Sequence, residues 1–313
     1  MRMDELPARM VVIGGGVIAA EFSHVFSAFG TEVTQLNRSS RLLRGVDEEV
    51  VARFEEAASK QWNIVKNASL SEIRENADGS VTVVAKHTTE NGEELLEIPA
   101  DAVLVATGRR PNTDTLNAKN YFDVQDGGQL SVDKYQRVLY NGAPVSGVYA
   151  LGDVSSRYQL KHVANHEARV VQHNLSHPED LRASDHRYVP AAVFSNPQIA
   201  VVGMTEEQAR QAAEREGFEI TVKAQNFGDT AYGWAMEDKI GLCKLIARKD
   251  NGELLGAHLV GEESSVLIQP LLQAMSFGMD ARTLARGQYW IHPALTEVVE
   301  NALLGLEFDE PAN

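Results

Sequence analysis

Four successive apolar residues, Met10-Val11-Val12-Ile13, stop at Gly14-Gly15-Gly16, and beyond them apolar residues recur at positions 22, 25, 26 and 29. A short unbroken apolar run reads as a strand covered on both faces, whereas recurrence at three- and four-residue steps reads as a helix over 19–29. Gly30 takes the C′ place that ends such a helix, and Glu32–Leu36 resumes the strand pattern. Strand, glycine turn, helix and strand fit one βαβ unit of about 30 residues, so the fold class is α/β with a Rossmann-type first domain.

Further along, residues 62–110 alternate in short strand-like runs broken at Asp78-Gly79 and Asn91-Gly92, two hairpin-turn pairs. They finish in Ala102-Val103-Leu104-Val105-Ala106-Thr107-Gly108-Arg109-Arg110, which reads as the carboxyl end of a parallel strand, the edge where ligands bind. A stretch rich in Asn, Asp and Gly then places a domain border near residue 115. A second strand runs to Gly152-Asp153, ahead of a helix over 160–175. After about residue 185 come a charged helix at Glu206–Glu216, strands near 219–225, 240–247 and 254–260, and apolar helices over 264–277 and 293–304. That order reads as a separate α+β domain, and its last helices carry enough apolar surface to suggest a subunit interface. The expected domains are 1–115, 116–184 and 185–313.

Gly14, Gly15, Gly16, Val17, Ile18 and Ala19 form the glycine loop of a dinucleotide fold, with alanine as its third small residue. The first glycine permits the turn, Gly16 leaves room for a pyrophosphate, and Ala19 lets the helix close on the strand. The end of the second strand sets the cofactor, since an acidic residue there accepts a hydrogen bond from a free ribose 2′-hydroxyl. Here that position is Asn37, followed by Arg38, Arg41 and Arg44. Guanidinium groups suit a 2′-phosphate, so NADPH is expected over NADH; the plainer reading is a set of solvated arginines.

The chain has 313 residues and a formal charge of −15, which argues against nucleic-acid or anionic-membrane partners and makes a local arginine cluster more telling. Residues 1–7 carry no signal-peptide pattern and no run approaches 18 apolar residues, so a cytosolic location is expected. The single cysteine, Cys243, lies in the apolar run 240–246 and reads as a buried structural thiol. His162 and His166 stand four apart, but Val170 follows where a third ligand would fit, and no metal is expected. Two carboxylates leave alternatives open. Asp153 suits either a sugar-alcohol hydroxyl or a helix cap, and Glu297 suits either an acid–base pair with His292 or a helix dipole. Pro293 is expected in the first turn of the last helix, which leaves His292 just outside it.

Together these residues resemble the pyridine nucleotide–disulfide oxidoreductases, the flavoprotein family that includes glutathione reductase and dihydrolipoamide dehydrogenase. The resemblance covers essentially the whole chain. Residues 14–21 match the family's NADPH loop, Glu21 included, and Arg38 with Arg44 match its 2′-phosphate arginine pair. Thr107 and Gly108 match the close of the nicotinamide domain, Gly152 and Asp153 the FAD contact, and His292 with Glu297 the acid–base dyad. The resemblance implies a nicotinamide domain, the remnant of an FAD domain over 116–184 and a dimerisation domain over 185–313. It implies FAD and NADPH as cofactors, a small-molecule disulfide as substrate, and a homodimer in which His292 protonates the departing thiol. The ending 288–306 resembles a small-thiol branch of the family more than dihydrolipoamide dehydrogenase, which is the alternative enzyme.

Two departures stand out. Family members begin with an FAD-binding segment that carries its own glycine loop and a C-x₄-C disulfide, and these 313 residues contain neither. A separate or upstream segment is therefore expected, and the chain alone is expected not to turn over. A non-catalytic nucleotide-binding and dimerisation module is the alternative of another class. Val17 stands where relatives often place an aromatic gate, and Glu21, which in the family pairs with a lysine, is expected to lack a partner.

Overall fold

The apolar run at the start of the chain forms β1 (Arg9–Ile13), followed by α1 (Val17–Ala28), β2 (Glu32–Leu36), α2 (Glu48–Ala58) and β3 (Asn63–Val65), in a computed structural model that describes residues 3–309. An antiparallel insert of β4 (Ala68–Glu75), β5 (Val81–Thr89) and β6 (Gly92–Ala100) precedes β7 (Ala102–Val105). The main sheet is parallel, in the order β3-β2-β1-β7. Ile13 lies opposite both Leu36 and Val105, so the three strands end level and deliver Gly14, Asn37 and Ala106 to one carboxyl edge.

Helix α1 begins at Val17 and buries Ala19, Ala20 and Ser23, not the expected stripe at 22, 25, 26 and 29. Small residues let the helix axis approach the sheet closely, which leaves Phe22 and Phe26 half-buried and Val25 and Phe29 exposed. Helix α2 is absent from the sequence reading although its signals are present. Asp47 caps it by accepting the Glu49 N–H, and Val50, Val51, Phe54 and Ala58 form its buried face.

The chain divides into two compact units, one made of residues up to Thr107 and from Pro190 onward, the other of Gly108–Val189. The breaks fall at 107/108 and 189/190, compared with the borders near 115 and 185 read from composition. The second unit holds β8 (Arg137–Tyr140), β9 (Ala143–Tyr149) and α3 (Lys161–Ser176). Its small core gathers Ala118, Leu130, Val138 and Ala150, and Leu116, Tyr121, Tyr140 and Leu175 stay exposed.

In the first unit the C-terminal segment adds β10 (Ala191–Val193), β11 (Gln198–Gly203), α4 (Glu206–Glu216), β12 (Ile220–Asn226), α5 (Ala231–Ala235), β13 (Leu242–Arg248) and β14 (Leu254–Gly261). These strands make an antiparallel sheet ordered β10-β11-β14-β13-β12. One core joins both segments of this unit, with Val12, Phe54 and Trp62 from the first and Ile199, Leu242 and Val260 from the second.

The helices that follow are α6 (Ser264–Leu267), α7 (Gln269–Phe277), α8 (Ala281–Arg286) and α9 (Glu297–Leu304). The expected single helix over 264–277 is thus two, because Pro270 cannot donate into a continuing ladder and its ring crowds the preceding turn. The last helix also starts later than expected. Residues 293–296 form a turn, held where Glu297 N–H donates to Ala294 O (3.2 Å) and Glu297 Oε2 accepts the Ala294 N–H (3.2 Å). Among the described residues no helix is long and apolar enough to cross a membrane.

Candidate functional site

The three loop glycines face three different surroundings. Gly14 sits at φ +141°, and a Cβ there would lie 2.4 Å from Ala106 O. On Gly15 a Cβ would lie 2.2 Å from Asn37 Oδ1, whereas on Gly16 it would meet nothing within 4 Å. The first two glycines are therefore required by the protein's own packing, and the third opens onto free space beside the start of α1. Gly16 is the N-cap of α1 and brings no side-chain cap, so the first N–H groups of that helix are available to an anion.

The arginine-bearing loop is tied to this turn, since Leu43 N–H donates to Gly15 O (2.8 Å). Asn37 is buried and spends its amide on the loop. Its Nδ2 donates to Ser39 O (2.8 Å) and Arg41 O (2.9 Å), and it supports Gly15 from beneath. Arg41 donates to Arg44 O (3.2 Å). Arg38 and Arg44 are exposed, and among the described residues no carboxylate pairs with either. In a chain of net charge −15 these guanidinium groups make a local positive patch. On the reading proposed below, in which the two arginines hold a 2′-phosphate, changing Arg38 and Arg44 together to glutamine is expected to weaken NADPH binding by about tenfold per arginine and leave NADH within about twofold. Titration calorimetry of both nucleotides checks this, and equal losses for the two would contradict it.

Thr107 lies exposed two residues beyond the end of β7, and Gly108 opens the second unit at φ +137°. In that unit Gly152 adopts φ +70° and donates its N–H to Glu167 Oε2 (2.7 Å), while Glu167 Oε1 lies 3.0 Å from His186 Nε2. Asp153 is half-exposed and accepts a hydrogen bond from Arg109 Nη1 (3.1 Å). It caps no helix through its side chain, which leaves carboxylate surface for a hydroxyl donor.

His292 and Glu297 meet directly, with Nδ1 2.7 Å from Oε1. The imidazole is largely exposed and the carboxylate mostly covered. The hydrogen bond to His292 holds the Glu297 carboxyl below its ordinary range, against a smaller opposing effect of burial. The carboxylate favours the ring form with a proton on Nδ1, which leaves Nε2 as the nitrogen without a protein partner among the described residues. Cys243 is fully buried, and burial pushes its thiol far above the range in which a thiolate forms at neutral pH.

The family model for pyridine nucleotide-disulphide oxidoreductases matches residues 1–168, and that for the dimerisation domain of the same family matches residues 189–303. The chain belongs to this family. It is 52% identical over 311 residues to the mycothione reductase of Mycobacterium tuberculosis, which covers 98% of this chain and 64% of that protein. It is 32% identical to a dihydrolipoyl dehydrogenase of Synechocystis, over 96% of this chain and 63% of that one. Among solved structures it is similar to the HOCl-induced flavoprotein disulfide reductase RclA of Escherichia coli, with a TM-score of 0.83 and 28% identity over 97% of this chain and 66% of that one. The chain thus spans a little under two thirds of the length of the curated relatives it matches.

One family-based expectation is corrected. Glu21 has a partner, the backbone N–H of Phe194, which it accepts at 2.9 Å, so its carboxylate ties α1 to the end of β10. Val17 is exposed at the start of α1, as is Ile18 beside it. Three polar residues escape the sequence reading. Gln35 is buried in the mixed strand β2, Lys244 in the mostly apolar β13, and Asp47 between two helix starts. For Lys244 the available signal was a charged side chain inside an otherwise apolar run.

Proposed function

We propose that the protein acts as an NADPH-dependent, FAD-containing disulfide reductase of the cytosol, reducing mycothione as a homodimer joined through 185–313. A redox-active cysteine pair outside these 313 residues completes the reading, since the one cysteine present is buried. The observation that carries the proposal is the glycine loop, open at Gly16 and hydrogen-bonded to a loop that presents two unpaired arginines. Both features fit a pyrophosphate and a 2′-phosphate.

In this reading residues 14–19 bind the pyrophosphate, Arg38 and Arg44 hold the 2′-phosphate, and Asn37 shapes their loop. Thr107 and Gly108 line the nicotinamide end. Gly152 and Asp153 fit a flavin's ribityl hydroxyls, because Asp153 keeps exposed carboxylate surface. When bound, FAD relays two electrons from the reduced nicotinamide toward a disulfide. With a second proton on Nε2 the His292 ring is an imidazolium, which gives that proton to the departing thiolate and returns to the neutral Nδ1–H form, while Glu297 orients the ring and stabilises its charge.

Identity to a mycothione reductase at 52%, against 32% to a dihydrolipoyl dehydrogenase, favours mycothione over lipoamide. The test is nucleotide oxidation by the flavin-loaded protein that includes the redox-active cysteine pair, with each disulfide and each nucleotide. NADPH with mycothione is expected to be the fastest pair. Faster turnover of lipoamide with NADH would overturn the assignment.

A further inference from the structure

Gln35 is 0% exposed although its side chain is polar. Such burial is costly unless both ends of the carboxamide are paired, and both are. Its Nε2 donates to Gly14 O (3.0 Å), and its Oε1 accepts from the indole Nε1–H of Trp62 (2.9 Å). Trp62 is itself buried and lies beside Phe54, their ring centroids 6.2 Å apart. Gly14 N–H donates to Leu36 O (2.9 Å), so the first glycine of the loop is held at both its N–H and its carbonyl.

A trans peptide unit is planar, with its C=O and N–H pointing in opposite directions. Fixing Gly14 O against Gln35 therefore turns the Gly15 N–H to the opposite side. Among the described residues no acceptor meets that N–H. Glycine at φ +141° has ample freedom to rotate, so the peptide needs an external restraint to keep one orientation.

We propose that Gln35, locked by Trp62, is a positioning residue for nucleotide binding: it fixes the Gly14–Gly15 peptide so that the Gly15 N–H is presented to a phosphate. This rests on the dinucleotide reading of the loop. The arginine loop has its own brace in the Asn37 amide, which donates to Ser39 O and Arg41 O, and meets the glycine turn at Gly15 O rather than at the Gly14 carbonyl, so the strut acts chiefly on the pyrophosphate end.

The test is calorimetric titration of wild type, Gln35→Met and Trp62→Phe with NADPH and with adenosine 2′-monophosphate, which carries the 2′-phosphate but no pyrophosphate. Gln35→Met is expected to weaken NADPH by about tenfold and leave adenosine 2′-monophosphate within about twofold. Trp62→Phe, which loosens the strut but leaves the Gln35 contact, is expected to lose less in the same direction and carries the comparison should Gln35→Met not fold. Unchanged NADPH affinity in the folded variants, or equal weakening of both ligands, would overturn the inference. A wild-type chain that bound neither ligand would overturn the dinucleotide reading, and this inference with it.

Discussion

Lys244→Met is expected to destabilise the first unit by about 3–5 kcal/mol, the cost of leaving a buried carboxylate without its cation. Lys244 is only 5% exposed, on β13, and its Nζ lies 2.7 Å from Glu206 Oε2, 2.9 Å from Asp47 Oδ1 and 3.2 Å from Glu49 Oε2. Asp47 is buried too, and accepts backbone N–H groups from Glu49 (3.1 Å) and from Glu206 (3.1 Å). One carboxylate thus caps α2 and binds the start of α4, 159 residues away. Without the ammonium it would remain desolvated with those amides alone. Urea denaturation followed by circular dichroism measures the loss, and a loss below about 1 kcal/mol would contradict this account. The double variant Asp47→Asn with Lys244→Met is expected to recover part of it, since it removes the buried charge along with its partner.

The same cluster sets an acid limit. Burial is the largest single effect and opposes ionisation of Asp47 and Glu206, but the hydrogen bonds and charge of Lys244, joined by the Glu206 N–H at Asp47 and by Arg210 at Glu206, together outweigh it and hold both carboxyls below their ordinary values. Their contribution is therefore present above the unfolded carboxylate range and lost as pH falls through the depressed native values, below about pH 4. Lys244, held above its ordinary value, keeps its contribution throughout the neutral range. His258 adds an earlier decline. Burial lowers its pKa, so the unfolded chain takes up a proton first and stability starts to fall below about pH 6.5.

His292→Gln is expected to slow disulfide turnover of the flavin-loaded enzyme by about 10²–10⁴-fold, the usual contribution of a positioned acid. The amide keeps a hydrogen-bond contact with Glu297 but has no proton to give near neutral pH. NADPH-dependent reduction of the flavin is expected to continue at the wild-type rate, because the proposed role of His292 is confined to the thiol. Glu297→Gln is expected to lose less, since it weakens the restraint on the ring and keeps the imidazole. Stopped-flow measurement of the two half-reactions separates these effects. Equal slowing of both, or unaltered disulfide turnover, would contradict the assigned role.

The part of the fold legible in the sequence is the part written locally. The run from β1 through the glycine loop to β2 needs no distant partner, and the charged helix at Glu206–Glu216 carries its own capping box at Thr205. The glycine turn between β1 and α1 was legible for the same reason. Other features depended on contacts no local pattern contains. Lys244 meets Asp47 across 197 residues, and Gln35 meets Trp62 across 27. The buried face of α1 was misjudged because large apolar residues dominate a periodicity reading, whereas small ones decide how closely a helix approaches a sheet. The joining of two chain segments in one core was invisible to a reading of composition along the chain.

The central claim is that the first unit is built to take a dinucleotide bearing a 2′-phosphate. The most direct measurement is equilibrium binding of NADPH and of NADH to the purified chain, side by side at two salt concentrations. The account predicts that NADPH binds tighter by about tenfold or more, with an advantage that shrinks as salt screens the exposed arginines. Equal affinity for the two nucleotides, or tighter binding of NADH, would contradict it.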